Sequence, residues 1–226
     1  MMTTSSFASF FFAVYRYFGL AGSLIVLLAS VIAAIVYSGK RNERYSIFNH
    51  FISELGEVGV SKAAPIFNGG LITGGLVILP FVIGLGLDIE NIWAKLGMLA
   101  GIWSTASLFL VGIFPMNNEE PHWKVSASFF RSGLLYLLFF SLGIFFQPAG
   151  HIVVPRYAVI FGLVGVLCYS AFLYKMTKES DSAHTSENLD PEAIPERPRF
   201  WVLATLEWSI FFSTMVWFLC VAWVMN

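Results

Sequence analysis

Six apolar runs, each long enough to cross a bilayer as a helix, constrain this chain more than any other feature. A helix needs about 20 apolar residues to span the hydrocarbon core, and in lipid only helices or closed barrels satisfy all their backbone hydrogen bonds. The sequence therefore predicts an all-α polytopic membrane protein, with one six-helix transmembrane domain over residues 1–226. The runs cover residues 17–38, 65–87, 93–114, 125–147, 152–174 and 200–225.

Composition agrees with this interpretation. The chain is 57% hydrophobic and only 12% charged, whereas soluble domains are about 25% charged. Its formal net charge of −1 and its lack of any nucleic-acid motif argue against a nucleic-acid partner. Cys168 and Cys220 both lie inside apolar runs and form no CxxC spacing, so they indicate no metal site.

The loops predict an orientation in the membrane. Ten Lys and Arg residues lie on the side of the first, third and fifth loops and three lie opposite. The positive-inside rule then places those loops in the cytoplasm and both termini outside a cell membrane. Residues 176–199 form the one long hydrophilic loop, which we expect to be flexible because it is polar, proline-containing and without an apolar period.

Two glycine pairs have the GxxxG spacing that lets helix backbones approach closely. Gly70 and Gly74 lie in the second run, and Gly97 and Gly101 lie in the third. We expect these glycines to pack helices together, and they also suggest a homo-oligomer formed through the same faces.

The stretch FNHFISELG, residues 48–56, places several polar groups between the first two runs. Read as a helix, it puts Phe48, Phe51, Ile52 and Leu55 on one apolar stripe, which predicts a short interfacial helix. Ser46 would cap its start and Gly56 its end. Asn49 and His50 are expected on the solvated face, whereas Ser53 and Glu54 are expected to point inward.

Further polar residues map to the same membrane face. Asn68 begins the second run, His122 precedes the fourth, and Arg131 and Glu207 lie about seven residues inside the fourth and sixth runs. A lone charge at that depth is costly. We therefore expect Arg131 and Glu207 to pair, or to face one polar cavity.

This one-sided distribution predicts a polar pocket. The candidate acid–base or nucleophilic residues are Ser53, Glu54, His122 and Glu207. The candidate binding residues are Asn49, Asn68 and Arg131. No metal ligand set is assigned: a zinc site would need Glu54 or Glu119 beside His50 and His122. The cofactor is unknown. A Ser53–His122–Glu54 acyl-transfer set can be drawn, although no spacing establishes it.

Several short motifs carry a family resemblance. ISELG, Pro65, FNGG, GIFP and His122 leading into VSASFF resemble an uncharacterised family of prokaryotic six-span proteins, domain of unknown function 998. ISELG, the FN of span two and Glu207–Trp208 are also similar to DRAM-type proteins, in a superfamily that includes GPI-anchor lipid remodelling factors. The resemblance implies a six-helix membrane fold and a tie to lipid metabolism or membrane organisation. DRAM-type proteins place the first loop in the lumen, in conflict with the charge count.

Two classes of function follow from the sequence. The first is a membrane protein that binds, and in one version modifies, a lipid or amphiphile, with Arg131 contacting an anionic headgroup. The alternative is a non-catalytic scaffold or sensor in which the polar residues only lock the bundle. A solute transporter is disfavoured, because the six spans show no inverted repeat. The sequence does not decide whether the protein is an enzyme.

Overall fold

A computed structural model describes residues 4–40, 42–183 and 197–225. Within them the chain forms six α-helices and no strand, which confirms the all-α fold class. Each helix is long and apolar enough to cross a membrane. The helices are α1 (Thr4–Val36), α2 (Ala64–Asp88), α3 (Ile92–Ile113), α4 (Glu119–Phe145), α5 (Val159–Ala183) and α6 (Val202–Val224).

The six helices form a closed ring. Each helix packs against the next one in the chain, and α6 returns to pack against α1. Only three residues join α2 to α3 and only five join α3 to α4, so these helices lie antiparallel and side by side. Asn91 begins α3 by accepting a hydrogen bond from the Ala94 amide, and its own amide donates to Gly143 O at 2.8 Å, which links α3 to α4.

The GxxxG glycines pack inside this ring. A Cβ at Gly70 or Gly74 would collide with Ala29 or Val26 of α1, so these glycines let α1 and α2 approach closely. Gly97 and Gly101 likewise give room to Phe140 and Val82. The helix-packing role is thus visible in the structure. The faces expected to join two copies are covered within one chain.

The first loop differs from the interfacial helix that the sequence predicts. Residues 47–50 form turns, and only Ile52–Gly56 is helical, as a 3₁₀ helix. Ser46 does begin the turn, because its carbonyl accepts from the amides of Asn49 and His50. The difference has a tertiary cause. This segment forms hydrogen bonds to α6 and to the residues just before α6, and these compete with the i→i−4 hydrogen bonds of a regular helix.

The polar segment predicted as a loop also begins differently. Helix α5 continues to Ala183, so residues 176–183 are helical. Residues 184–196 lie outside the described residues. From Arg197 onward the chain lies along the first loop: the Trp201 amide donates to Phe48 O at 2.8 Å, and the rings of Phe51 and Trp201 meet edge to face at 4.8 Å.

Candidate functional site

The strongest polar contact on this face joins the first loop to the segment before α6. Arg197 holds both carboxylate oxygens of Glu54, with Nη1–Oε1 at 2.9 Å and Nη2–Oε2 at 2.8 Å. Arg197 Nη1 also donates to Asn49 O at 2.7 Å. Glu54 is buried and accepts a further bond from the Phe51 amide at 2.8 Å. Arg197 therefore holds the 3₁₀ helix through the Glu54 carboxylate and the preceding turn through the Asn49 carbonyl.

Glu207 holds the other side of the same 3₁₀ helix. Its Oε2 accepts a hydrogen bond from the Ile52 amide at 2.7 Å, and its side chain is buried. The first amides of a helix have no partner within it, so Glu207 satisfies a group that the helix itself leaves open. Glu54 and Glu207 therefore both fix the 3₁₀ helix.

His50 is buried, which contradicts its expected place on a solvated face. Only 1% of its surface is exposed, and the rings of Tyr37 and Tyr45 lie 5.4 and 5.0 Å from its own. Its Nδ1 lies 2.7 Å from Asn49 Oδ1, and its Nε2 lies 3.9 Å from Glu43 Oε1. Burial lowers the pKa of His50, against the opposing effect of Glu54, so its imidazole is neutral near pH 7.

The two asparagines also bond to backbone. Asn49 Nδ2 donates to Pro198 O at 3.2 Å, which adds to the contact between the first loop and the segment before α6. Asn68, at the start of α2, donates to Gly56 O at 3.0 Å and so closes the end of the 3₁₀ helix. Both asparagine side chains therefore stabilise the first loop.

Ser53, His122 and Glu54 do not form a hydrogen-bonded chain. The Ser53 hydroxyl lies 3.9 Å from the sulfur of Met116. His122 Nδ1 donates to Phe114 O at 2.7 Å, which leaves Nε2 to accept from the Ser126 hydroxyl at 3.3 Å. Since Glu54 is held by Arg197, the acyl-transfer arrangement drawn from the sequence is not assembled among these residues.

Arg131 and Glu207 are not partners. Arg131 is exposed on the outside of α4, and in the described part of the chain it forms no ion pair. Glu207 is buried and bonded to Ile52. The expectation that they pair, or share a cavity, is therefore wrong: equal depth in the membrane does not set the direction in which two side chains point. Arg131 lies outside the polar site.

A cavity of about 80 Å³ occupies the middle of the helix ring. Its walls come from α1, α2, α3, α4 and α6, and they are mainly aliphatic and aromatic. Ile52, Ser53, Ser126 and Glu207 line the end that lies near the first loop. The opposite end is lined by residues deep in the bundle, namely Ile78, Val82, Tyr136 and Phe218.

A separate surface pocket of about 570 Å³ lies on the other side of the 3₁₀ helix. Its charged lining is balanced, with three basic and three acidic side chains: Lys40, Arg44, Arg197, Glu43, Glu54 and Glu57. Lys40 pairs with Glu57 at 2.7 Å, and this contact raises the pKa of the lysine. The 3₁₀ helix thus separates the two spaces, with Ser53 facing the cavity and Glu54 facing the surface pocket.

Sequence reasoning missed Arg197, His50 and Tyr37. Arg197 lies in a polar, proline-containing stretch of the sequence, and such a stretch predicts no fixed partner. Tyr37 directly follows α1, and its hydroxyl lies 3.4 Å from Glu54 Oε2. Burial raises the pKa of Tyr37, so its hydroxyl stays protonated. A buried carboxylate needs a partner. An inward Glu54 therefore requires a cation from elsewhere in the chain, and that requirement was the one signal in the sequence that could have pointed to Arg197.

The described residues contain no cluster of three or more His, Cys, Asp or Glu side chains that could hold a metal ion. His50 and His122 have different neighbours and do not approach a common point with Glu54 or Glu119. The zinc site considered from the sequence therefore has no set of ligands among these residues.

Residues 20–224 match the family described as "Protein of unknown function (DUF998)". The chain belongs to the DUF998 family. The match includes all of α2 to α6 and about half of α1, so the family resemblance seen in the short motifs extends to all six helices. No curated protein and no solved structure matches the chain; its similarity to DRAM-type proteins stays a prediction.

Proposed function

We propose that this DUF998 protein binds the hydrocarbon chain of a membrane amphiphile in its central cavity. The observation that carries the proposal is the cavity itself, which is apolar along its walls and has Ser53, Ser126 and Glu207 near the first loop. Ligand sites are typically apolar recesses with a few polar groups that set orientation. An amphiphile would place its chain between the helices, with its polar end directed past these three side chains toward the 3₁₀ helix.

The length of the cavity supports a membrane-type chain. Its lining on α6 runs from Glu207 to Phe218, which at 1.5 Å per residue is about 16 Å. One leaflet contributes about half of a hydrocarbon core of roughly 30 Å. The cavity is therefore about as deep as one leaflet, and its small volume suits one chain better than two.

The surface pocket would receive the polar headgroup. It has both signs of charge close to the 3₁₀ helix, and Ile52–Gly56 separates it from the cavity. An amphiphile that used both spaces would have to pass this helix. Entry of the amphiphile into the cavity would thus depend on the contacts by which Glu54 and Glu207 hold this helix.

The test is a displacement titration with a fluorescent alkyl probe on the purified protein in detergent. Leu108→Trp would fill the cavity, because Leu108 lines it, whereas Leu110→Trp on the same helix adds the same bulk to an exposed position. We expect the first variant to bind the probe at least about tenfold more weakly and the second to bind it normally. Equal probe binding by both variants would contradict the proposal.

A non-catalytic scaffold is the second candidate. It is favoured by the hydrogen bonds of Glu54, Asn68 and Glu207, each of which fixes the 3₁₀ helix. The probe titration separates the two candidates: a scaffold would bind no alkyl probe even as the wild-type protein, whereas both candidates lose thermal stability in a Glu207→Leu variant.

A further inference from the structure

Hydroxyl groups line the central cavity, and most of them are already bonded within the protein. Thr105 donates to Gly101 O at 3.0 Å, and Thr214 pairs with the Tyr169 hydroxyl at 3.3 Å. Ser53 contacts Met116, and Ser126 bonds to His122. Each of these four groups therefore already has a partner within the protein.

Tyr136 and Ser104 differ from the others. Both line the same cavity, and both are more than nine-tenths buried, at 2% and 4% exposed. The Tyr136 hydroxyl has no hydrogen-bond partner. Within the described residues Ser104 makes no hydrogen bond either, not even to the preceding turn of its own helix, which is where Ser23, Ser30 and Ser141 donate.

A neighbouring protein group does not satisfy Tyr136. The Thr214 hydroxyl is a close polar neighbour of the Tyr136 hydroxyl, but their contact falls outside hydrogen-bond geometry, and Thr214 already bonds to Tyr169 at 3.3 Å. In a membrane bundle no bulk water reaches this depth, so an unpaired hydroxyl is costly. Buried polar groups are nearly always hydrogen-bonded, so the orphaned Tyr136 hydroxyl, with the unbonded Ser104 hydroxyl in the same cavity, is a sign of a missing partner.

Both groups lie at mid-membrane depth. Ser104 is near the middle of α3, and Tyr136 is just beyond the middle of α4. Long side chains in a helix point back toward its N-terminus, so the Tyr136 hydroxyl extends toward the middle of α4. The two donors therefore lie well beyond Ser53 and Glu207, at a depth where a plain alkyl chain offers no acceptor.

We infer that the preferred ligand carries an oxygen acceptor, a carbonyl or hydroxyl group, part-way along its hydrocarbon body. Tyr136 and Ser104 donate to that oxygen. This inference rests on the proposed function, because it assigns the chemical class of the chain that the cavity holds. Two sources share this chemistry: an acyl chain with a mid-chain oxygen, and an isoprenoid quinone whose ring lies within the bundle.

Paired ligands test the inference. Octadecanoic acid and its mid-chain keto analogue differ only in the oxygen, and each is titrated against the fluorescent alkyl probe; a short-tailed benzoquinone forms a separate arm. We expect the wild-type protein to bind the keto analogue about fivefold more tightly than the plain acid, as one to two neutral hydrogen bonds allow. The quinone displaces the probe as effectively as the keto analogue only if its ring also fits in the cavity.

Matched variants assign the effect to the two hydroxyls. In Tyr136→Phe and Ser104→Ala the ratio of the two dissociation constants falls, and in the double variant it reaches about one. Tyr157→Phe and Ser132→Ala serve as controls, because neither residue lines the cavity, Tyr157 is exposed, and the Ser132 hydroxyl is bonded within its own helix. Both controls keep the wild-type ratio.

The outcomes are distinct. If neither fatty acid displaces the probe from the wild-type protein, the proposed function fails, and this inference fails with it. If both bind equally, the cavity holds a chain but water satisfies the hydroxyls, which overturns this inference alone. A preference for the keto analogue that persists in the double variant also overturns it.

Discussion

Arg197 and Glu54 form a bidentate ion pair between two parts of the chain that are 143 residues apart, and only one of the partners is fully buried. The Arg197 side chain is 30% exposed, whereas that of Glu54 is 6% exposed. The pair holds the 3₁₀ helix that separates the surface pocket from the central cavity. Four predictions test this arrangement.

Removing Arg197 should destabilise the protein. Arg197→Met leaves the buried Glu54 carboxylate without its cation, and we expect a loss of about 2 kcal/mol, below the 3–5 kcal/mol of a fully buried pair because the arginine is partly in solvent. Arg197→Lys recovers only part of it, since lysine cannot bind bidentately. The measurement is thermal unfolding in detergent. Lys124→Met is the control, because its pair with Glu120 is exposed on both sides. A similar loss in that control would refute the special role of Arg197.

Glu207 should stabilise the protein more as a hydrogen-bond acceptor than through its negative charge. Glu207→Leu leaves the Ile52 amide unpaired, and we expect a cost of about 1–3 kcal/mol. Glu207→Gln keeps an oxygen at the same position and should retain most of that stability. Chemical unfolding of both variants distinguishes the cases. Equal losses for Leu and Gln would show that the negative charge, and not the bond to Ile52, is what stabilises the loop.

His50 should make stability depend on pH. Its pKa is lowered in the folded protein by burial, so the unfolded chain takes up a proton first, as the pH falls below about 6.5. Stability is therefore greatest above that pH and decreases below it. Glu43, Glu54 and Arg197 are the charged side chains that act on His50. Unfolding temperatures from about pH 7.5 to 5.5 should fall less steeply in His50→Gln than in the wild type. Identical slopes would contradict the assignment.

Gly56 should resist a side chain. A Cβ there would collide with the Asn68 amide, which bonds to the Gly56 carbonyl. Gly56→Ala should cost about 1–3 kcal/mol through this overpacking. Gly69→Ala is a matched control on α2, because no atom lies near its Cβ position, and alanine favours a helix. Comparable unfolding temperatures for the two variants would show that Asn68 can move without cost.

The sequence determined the parts that depend on local chemistry. Apolar runs of membrane length specify the six helices, because a polar backbone in lipid must bond to itself. Glycine spacing predicted close helix packing at Gly70 and Gly74, where the structure shows α1 as the partner. The short link between α2 and α3 keeps those two helices side by side.

Only the tertiary structure decided which polar groups meet. Arg131 and Glu207 have the same depth in the sequence, yet one faces outward and the other bonds to Ile52, because the rotation of each helix depends on packing around the whole ring. Arg197 finds Glu54 through a segment with no periodic signal. The unpaired hydroxyls of Ser104 and Tyr136 become informative only once five helices enclose them in one cavity. Hydrogen-bond satisfaction is a property of the assembled bundle, and no single stretch of sequence contains it.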